Sequence, residues 1–232
     1  MRIVSLNMGK CVEQPWRSGT LTGMHKTAVT DKVLLDELGL EGDEQADLKN
    51  HGGKDKAILV LPSSAYQRFE ISHPFGFLGE NITLSEVDET EVCLGDRFQI
   101  GSVLLEVTQP RSPCWKLDAQ ATQDSKWQPG EFLKAYSESG HVGFYCRVLG
   151  KGWLQEKQLV RWLTRNDEQD KTFPRIAIKN LFLARHNAGE KGSKKILKSA
   201  IKHPALSMAW RTAIEKLLDK DHRTSKSTVK KG

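Results

Sequence analysis

The residues of this chain best suited to chemistry gather in three segments rich in glycine or proline. The most distinctive is Gln109-Pro-Arg-Ser-Pro-Cys-Trp-Lys-Leu117. Pro110 and Pro113 fix the backbone and exclude a helix across that stretch. A rigid loop presents Cys114 at a set angle, a constraint that a space-filling cysteine does not need. Arg111 and Lys116 flank the thiol and favour its thiolate. A soft thiolate suits a soft metal centre or a covalent step. The plain alternative is an inert cysteine buried beside a proline corner.

The second segment runs through Gly39-Leu-Glu-Gly-Asp43 to His51-Gly52-Gly53-Lys54-Asp55-Lys56. Paired glycines let the backbone approach a ligand closely, and their N–H groups with Lys54 and Lys56 form an anion nest. A hairpin turn with a solvated His51 would use the same residues. The third is Leu78-Gly79-Glu80-Asn81-Ile82. Asn81 either hydrogen-bonds a polar ligand or satisfies backbone groups in a turn.

The surrounding periodicity says what must position these segments. Up to about residue 165 it is that of short strands: Ile3–Met8, Ala57–Leu61, Phe98–Ile100, Val103–Val107 and Leu159–Leu163. The cysteine loop follows one of these strands directly, where sites are commonly built. Helices are expected from Ser63 or Ser64 through Ile71 and over Gly130–Ser139. Short strands with few helices predict a mainly β, closed or strongly curved architecture. After Thr164 the spacing turns helical, with segments over Phe173–Leu183, around Lys194–Ile201 and from Ala205 to Leu218. The expected organisation is a β domain over 1–165, a three-helix unit over 166–220 and a disordered basic tail over 221–232.

Charge follows the same division. Residues 171–232 carry 16 Lys and Arg against 4 Asp and Glu, a balance of +12, whereas residues 1–170 balance at −6. The four cysteines, Cys11, Cys93, Cys114 and Cys146, include no close pair, which argues against a disulfide framework and against a zinc site on short-spaced ligands. Cys93 and Cys146 sit in strand-like surroundings and read as small buried hydrophobes. No apolar run approaches the roughly 20 residues of a membrane span, so no membrane attachment is expected. The start Met1-Arg-Ile-Val-Ser-Leu-Asn7 lacks the pattern of a signal peptide, which sets the expectation of a cytoplasmic protein.

Taken in order, Gly39–Asp43, His51-Gly-Gly with Lys56-Ala57, Gly79-Glu-Asn81, Leu94-Gly-Asp96 and Gln109–Leu117 resemble the MOSC family, the domain found at the C-terminus of molybdenum-cofactor sulfurases. The likeness is strongest to its stand-alone bacterial YiiM-like members, helical extension included, and spans the chain to about residue 220. The resemblance implies a MOSC-type β-barrel whose cleft binds a molybdopterin-type molybdenum cofactor, with Cys114 ligating the metal. Lys10, Lys26, His51, Gly52, Gly53, Lys56, Asn81, Arg111 and Ser112 are the positions it suggests for the cofactor's anionic and polar parts. It also implies reduction of N-hydroxylated compounds, such as hydroxylaminopurines or amidoximes. The chain carries neither an iron–sulfur CxxxxCxxC spacing nor a GxGxxG fingerprint, so an external electron-donor reductase, a flavin or iron–sulfur protein, would be needed.

Two other functions compete. The same cysteine could carry cofactor or sulfur without turnover. Alternatively the basic stretch Lys191-Gly-Ser-Lys-Lys-Ile-Leu-Lys198 could bind nucleic acid through its phosphates. Its charges alternate with apolar residues on short helices, the pattern of a solvated face or of a surface for an acidic donor protein. A Cys–His hydrolase pairing Cys114 with His51 or His141 has no supporting motif.

Overall fold

Five consecutive buried residues, Ile58-Leu-Val-Leu-Pro62, mark the middle of the fold. A strand buried on both faces reads as a continuous apolar run, and this one has neighbours on both sides. The computed structural model describes residues 1–17, 19–47, 52–123, 127–163 and 173–228, with side chains as far as 220. In chain order its strands begin with β1 (Ile3–Met8), β2 (Val12–Gln14), β3 (Thr20–Thr22), β4 (Thr27–Ala28), β5 (Val33–Asp36) and β6 (Gly39–Leu40). They continue with β7 (Ile58–Pro62), β8 (Ile82–Leu84), β9 (Arg97–Ile100), β10 (Val103–Pro110), β11 (Phe144–Gly150), β12 (Gly152–Leu154) and β13 (Arg161–Leu163). The helices are α1 (Ser64–Arg68), α2 (Trp115–Ala121), α3 (Glu131–Ser139), α4 (Ile178–His186), α5 (Ser193–Ala200) and α6 (Met208–Thr228).

Eight strands form one sheet in the order β13-β9-β10-β11-β7-β8-β1-β4. Its neighbours are antiparallel apart from the parallel pair β7–β8. The sheet curls until its ends meet. Just ahead of β13, Leu159 bridges Arg2, and the Ile3 and Val160 N–H groups donate to Gln158 O (3.0 Å) and Met1 O (3.2 Å). That closure removes an open edge of the kind that templates aggregation. The expected barrel-like, mainly β fold is therefore what the chain adopts. Phe98, Phe144, Ile58, Leu61, Ile82 and Leu6 pack inside it with almost no exposure.

Register shifts in the β10–β11 pair between Val107 and Gln109. A bulge there bends and twists the strand just before the cysteine loop. The buried Thr108 anchors it by donating its hydroxyl to Asp55 O at 2.6 Å. The prolines of the loop do exclude a helix over their own span, but α2 starts directly after them at Trp115, a helix that the sequence expectations omit.

The C-terminal helices lie against the sheet. Leu94 N–H donates to Ile176 O (2.9 Å) and Ile178 N–H to Val92 O (2.8 Å), an edge contact that leads into α4. At the start of α6, Met208 N–H donates to Asp55 Oδ2 at 3.0 Å, while Arg147 reaches Asp55 and Ala205 O, each at 2.9 Å. Trp210, Ile214 and Leu218 form the buried stripe of α6. The helix runs on to Thr228, past the boundary expected at 221. Extending a nucleated helix adds one hydrogen bond per residue without a new nucleation cost, which low apolar content does not prevent.

Candidate functional site

The starts of β7 and β8, the cysteine loop and the irregular segments around Gly23–Lys26 and Glu44–Asp47 surround an open cleft of about 700 Å³, solvent-facing space included. Seven of the positions nominated from sequence line it: Lys26, Gly52, Lys56, Asn81, Arg111, Ser112 and Cys114. Lys10 and Gly53 are not among its lining residues, and His51 lies outside the described residues. Lys10 is exposed and pairs with Glu44 at 3.0 Å. The Cys11 N–H and Lys10 together hold the Glu44 carboxyl below its ordinary range.

One carboxylate organises the inner wall. Asp43 Oδ1 accepts from Gly9 N–H at 2.8 Å and pairs with Lys26 Nζ, and its Oδ2 accepts from Asn81 Nδ2 at 2.8 Å. Asn81 completes its bonding with Leu59 N–H on Oδ1 (3.2 Å) and Asn7 O on Nδ2 (3.4 Å). Lys26 and Asn81 thus face the cleft but are engaged by protein groups. They form a rigid polar wall more than a set of open donors.

Arg111 is different. It is buried, donates Nη1 to Leu78 O at 2.6 Å and sets Nη2 3.7 Å from Met24 Sδ. No carboxylate among the described residues forms an ion pair with it. Burial opposes its charge, but Tyr136, Tyr145, Cys114 and Glu80 outweigh that effect and raise its pKa. A buried guanidinium that meets a cleft without a carboxylate partner is arranged to receive an anion. Next to it, Gly79 (φ +86°) makes room for Met24: a Cβ there would stand 2.6 Å from Met24 Cγ, while Arg111 Nη2 at 3.6 Å would be in ordinary contact. Gly52 (φ +82°) serves the facing wall in the same way, against Gln45.

Cys114 is half-buried and occupies the N-cap position of α2 in extended geometry (φ −130°, ψ 168°), its Sγ taking no part in capping. Lys116 crosses to the β2–β3 hairpin, donating to Leu21 O at 2.8 Å, and Trp115 lies under Arg17 at 4.0 Å. Lys56 is half-buried, and desolvation lowers its pKa despite Asp47 and Asp55 nearby. Met24 and Tyr145 also line the cleft, as do Gln45 and Asp47 from the segment that opens at Gly39, although none of the four is among the nominated positions. Nothing in their local patterns sets them apart.

A second cavity, of about 860 Å³ with open solvent included, lies at the other end of the β7–β8 pair, beside Pro62 and Leu84. His141 lines it, held 3.6 Å from Glu89 and 2.8 Å from Lys179. The hydrolase pairing of Cys114 with His141 therefore fails, because the two residues line separate cavities. Among the described residues no helix is long and apolar enough to cross a membrane.

Residues 47–161 match the family model described as MOSC domain. The Bacillus subtilis (strain 168) protein named uncharacterized protein YflK is 32% identical over 223 residues, covering 94% of this chain and 95% of its own. A Gibberella moniliformis protein named "Reductase" is 30% identical over 152 residues, 62% of this chain but only 26% of that protein. Among solved structures, that of YiiM from Geobacillus stearothermophilus superposes with a TM-score of 0.70 at 29% identity, covering 93% of this chain and 97% of that one.

Proposed function

Because the chain belongs to the MOSC-domain family, with YiiM-like relatives along almost its whole length, we propose that its cleft binds a molybdopterin-type molybdenum cofactor and that the protein reduces N-hydroxylated compounds with electrons from an external reductase. The observation that carries this reading is the pairing, in one cleft, of the Cys114 thiol with the buried Arg111 that lacks a carboxylate partner. The residues present fit such a group. An anionic pterin phosphate requires cations and N–H donors in a preformed pocket, and Arg111, Lys56 and the Gly52 backbone border this one. Among the described residues no group of three or more His, Cys, Asp or Glu side chains is arranged to hold a metal ion. A metal at Cys114 would therefore bring its other ligands with it, as a dithiolene-bound molybdenum does.

When bound, the cofactor supplies a two-electron centre able to accept an oxygen atom from an N–O bond. The chain's own contribution is placement. Cys114 offers one thiolate from a backbone fixed by Pro113 before it and α2 after it. Arg111 would hold an anionic group without moving, since its bond to Leu78 O sets its position. The Asp43–Lys26–Asn81 wall keeps the cleft's inner face polar and rigid. The reductase named among the relatives matches this chain over 26% of its length and supports the redox class only.

The test is metal and pterin analysis of protein made in molybdate-fed, cofactor-competent cells, with Cys114→Ala in parallel. Near-stoichiometric molybdenum in the native protein is expected, together with amidoxime reduction under a chemical reductant that the variant lacks. Absence of both molybdenum and pterin from the native protein would sink the proposal. Bound molybdenum without turnover would convert it into the carrier role.

A further inference from the structure

Arg185 belongs to α4, in the helical extension, and to none of the motifs that point to the cleft. Its guanidinium lies 4.5 Å from the ring centre of Trp210, which is itself buried at the start of α6. From there Nη1 donates to Ser112 Oγ at 3.2 Å, on the loop between Arg111 and Cys114. Ser112 lines the cleft. No carboxylate among the described residues pairs with Arg185, and desolvation alone pulls its pKa down. A partly desolvated charge without a counter-ion is costly unless it serves a ligand. An aromatic face that fixes a guanidinium in one orientation lowers the entropy of using its other donors.

The extension also reaches the opposite wall. Asp55, next to Lys56 and two residues after Gly53, accepts the Met208 N–H at the start of α6 (3.0 Å) and pairs with Arg147 (2.9 Å). The helices are thus fastened to both loops that border the cleft, and on one side they bring a cation with them. We propose that Arg185, together with the Ser112 hydroxyl, forms an outer anion subsite of the cleft, supplied by the helical extension, for a phosphate-class group of the ligand held over Cys114. This deepens the reading of the cleft as a ligand site, yet its test needs no molybdenum.

The experiment uses the full chain made in cells unable to assemble the cofactor. Alkylation of Cys114 by anionic iodoacetate and by neutral iodoacetamide is followed by peptide mass spectrometry in the native protein, Arg185→Gln and Arg185→Lys. Iodoacetate should lose roughly three- to tenfold in rate relative to iodoacetamide in Arg185→Gln, and most of that should return in Arg185→Lys, because a charge bonded to the loop two residues before the thiol attracts the anionic reagent. Inorganic pyrophosphate should slow iodoacetate labelling of the native protein more than that of Arg185→Gln, in which Arg111 and Lys56 still line the cleft. An unchanged reagent ratio would overturn the proposal. So would an equal change with both reagents, which would mean that Arg185 only shapes the loop. The altered ratio in a protein that fails to load molybdenum in competent cells would sustain the anion subsite and refute the cofactor reading alone.

Discussion

Lys26 and Asp43 form an ion pair in which the side chains are only 6% and 2% exposed. The carboxylate also receives Gly9 N–H and Asn81 Nδ2, so a single group ties β1, the segment after β6 and the start of β8 together. Removing one partner of a buried pair leaves the other charge uncompensated, at a cost of about 3–5 kcal/mol. Asp43→Asn should lower unfolding free energy by that order in urea titrations. The double variant Asp43→Leu with Lys26→Met should lie closer to the native protein than the single variant. A single-variant loss below about 1 kcal/mol would show that the wall is not built on this pair.

Gly79→Ala and Gly42→Ala compare nearly equal φ angles with and without a collision. Their φ values are +86° and +89°, but a Cβ at 79 meets Met24 at 2.6 Å whereas one at 42 meets nothing within 4 Å. Both should carry the backbone cost of about 1 kcal/mol, and Gly79→Ala should carry an additional 1–3 kcal/mol or so from the clash. Thermal unfolding measures the difference. Equal losses would show that Met24 yields freely.

Glu80 makes stability depend on pH in a direction opposite to that of most carboxylates. It is fully buried. Its Oε1 accepts from Tyr66 OH (2.8 Å), Gly76 N–H (2.8 Å) and Thr83 Oγ1 (2.9 Å), and its Oε2 has no hydrogen-bond partner among the described residues. Burial outweighs those bonds and raises the carboxyl above its ordinary value of 4.5. The folded state then binds the proton more tightly than the unfolded state. The corresponding stability is fully present below the unfolded-state value and fades as pH rises through the folded-state one. Glu80→Gln, which stays neutral, should therefore gain on the native protein between pH 4 and pH 8 in urea titrations. A gap that narrows over that range would contradict the assignment.

The four cysteines should differ in reactivity. Cys146 is fully buried, and burial with the nearby Glu106 pushes its thiol far up. Burial and Glu44 also raise Cys11, though it is only half-buried. Brief treatment of the folded protein with iodoacetamide at pH 7 should label Cys114, leave Cys11 slower, and spare Cys93 and Cys146 until denaturant is added. Peptide mapping that finds Cys146 modified in the folded protein would count against the strand pairing that buries it.

Much of this arrangement is legible in the residues. The alternating run Ile3–Met8 forms a strand over those same residues, because one face must pack inside while the other meets a neighbouring strand. The glycines at 52 and 79 mark positions with φ of +82° and +86°, which favour a residue without Cβ. What escapes sequence reading is long-range. The Lys26–Asp43 pair joins two irregular segments, and no local pattern announces it. Lys26 and Asn81, named from sequence for the cofactor's anionic and polar parts, are both engaged by that carboxylate. The helix α2 escapes because prolines that forbid helix over their own span give no signal about the residues just beyond. Arg185 is one cation among many in a basic region, and only the packing of Trp210 and Ser112 distinguishes it.

The closure of the sheet has a consequence for synthesis. The start of β1 pairs with β8 on one side, but its other side is covered by Gln158–Val160. On the ribosome that covering segment emerges some 8–30 s after β1, at roughly 5–20 residues per second. During that interval the first strand has an uncovered flank that could join a neighbouring nascent chain. A chaperone that shields N-terminal segments, or slow translation that lets β1 and β8 pair early, would protect yield without altering the stability of the finished protein.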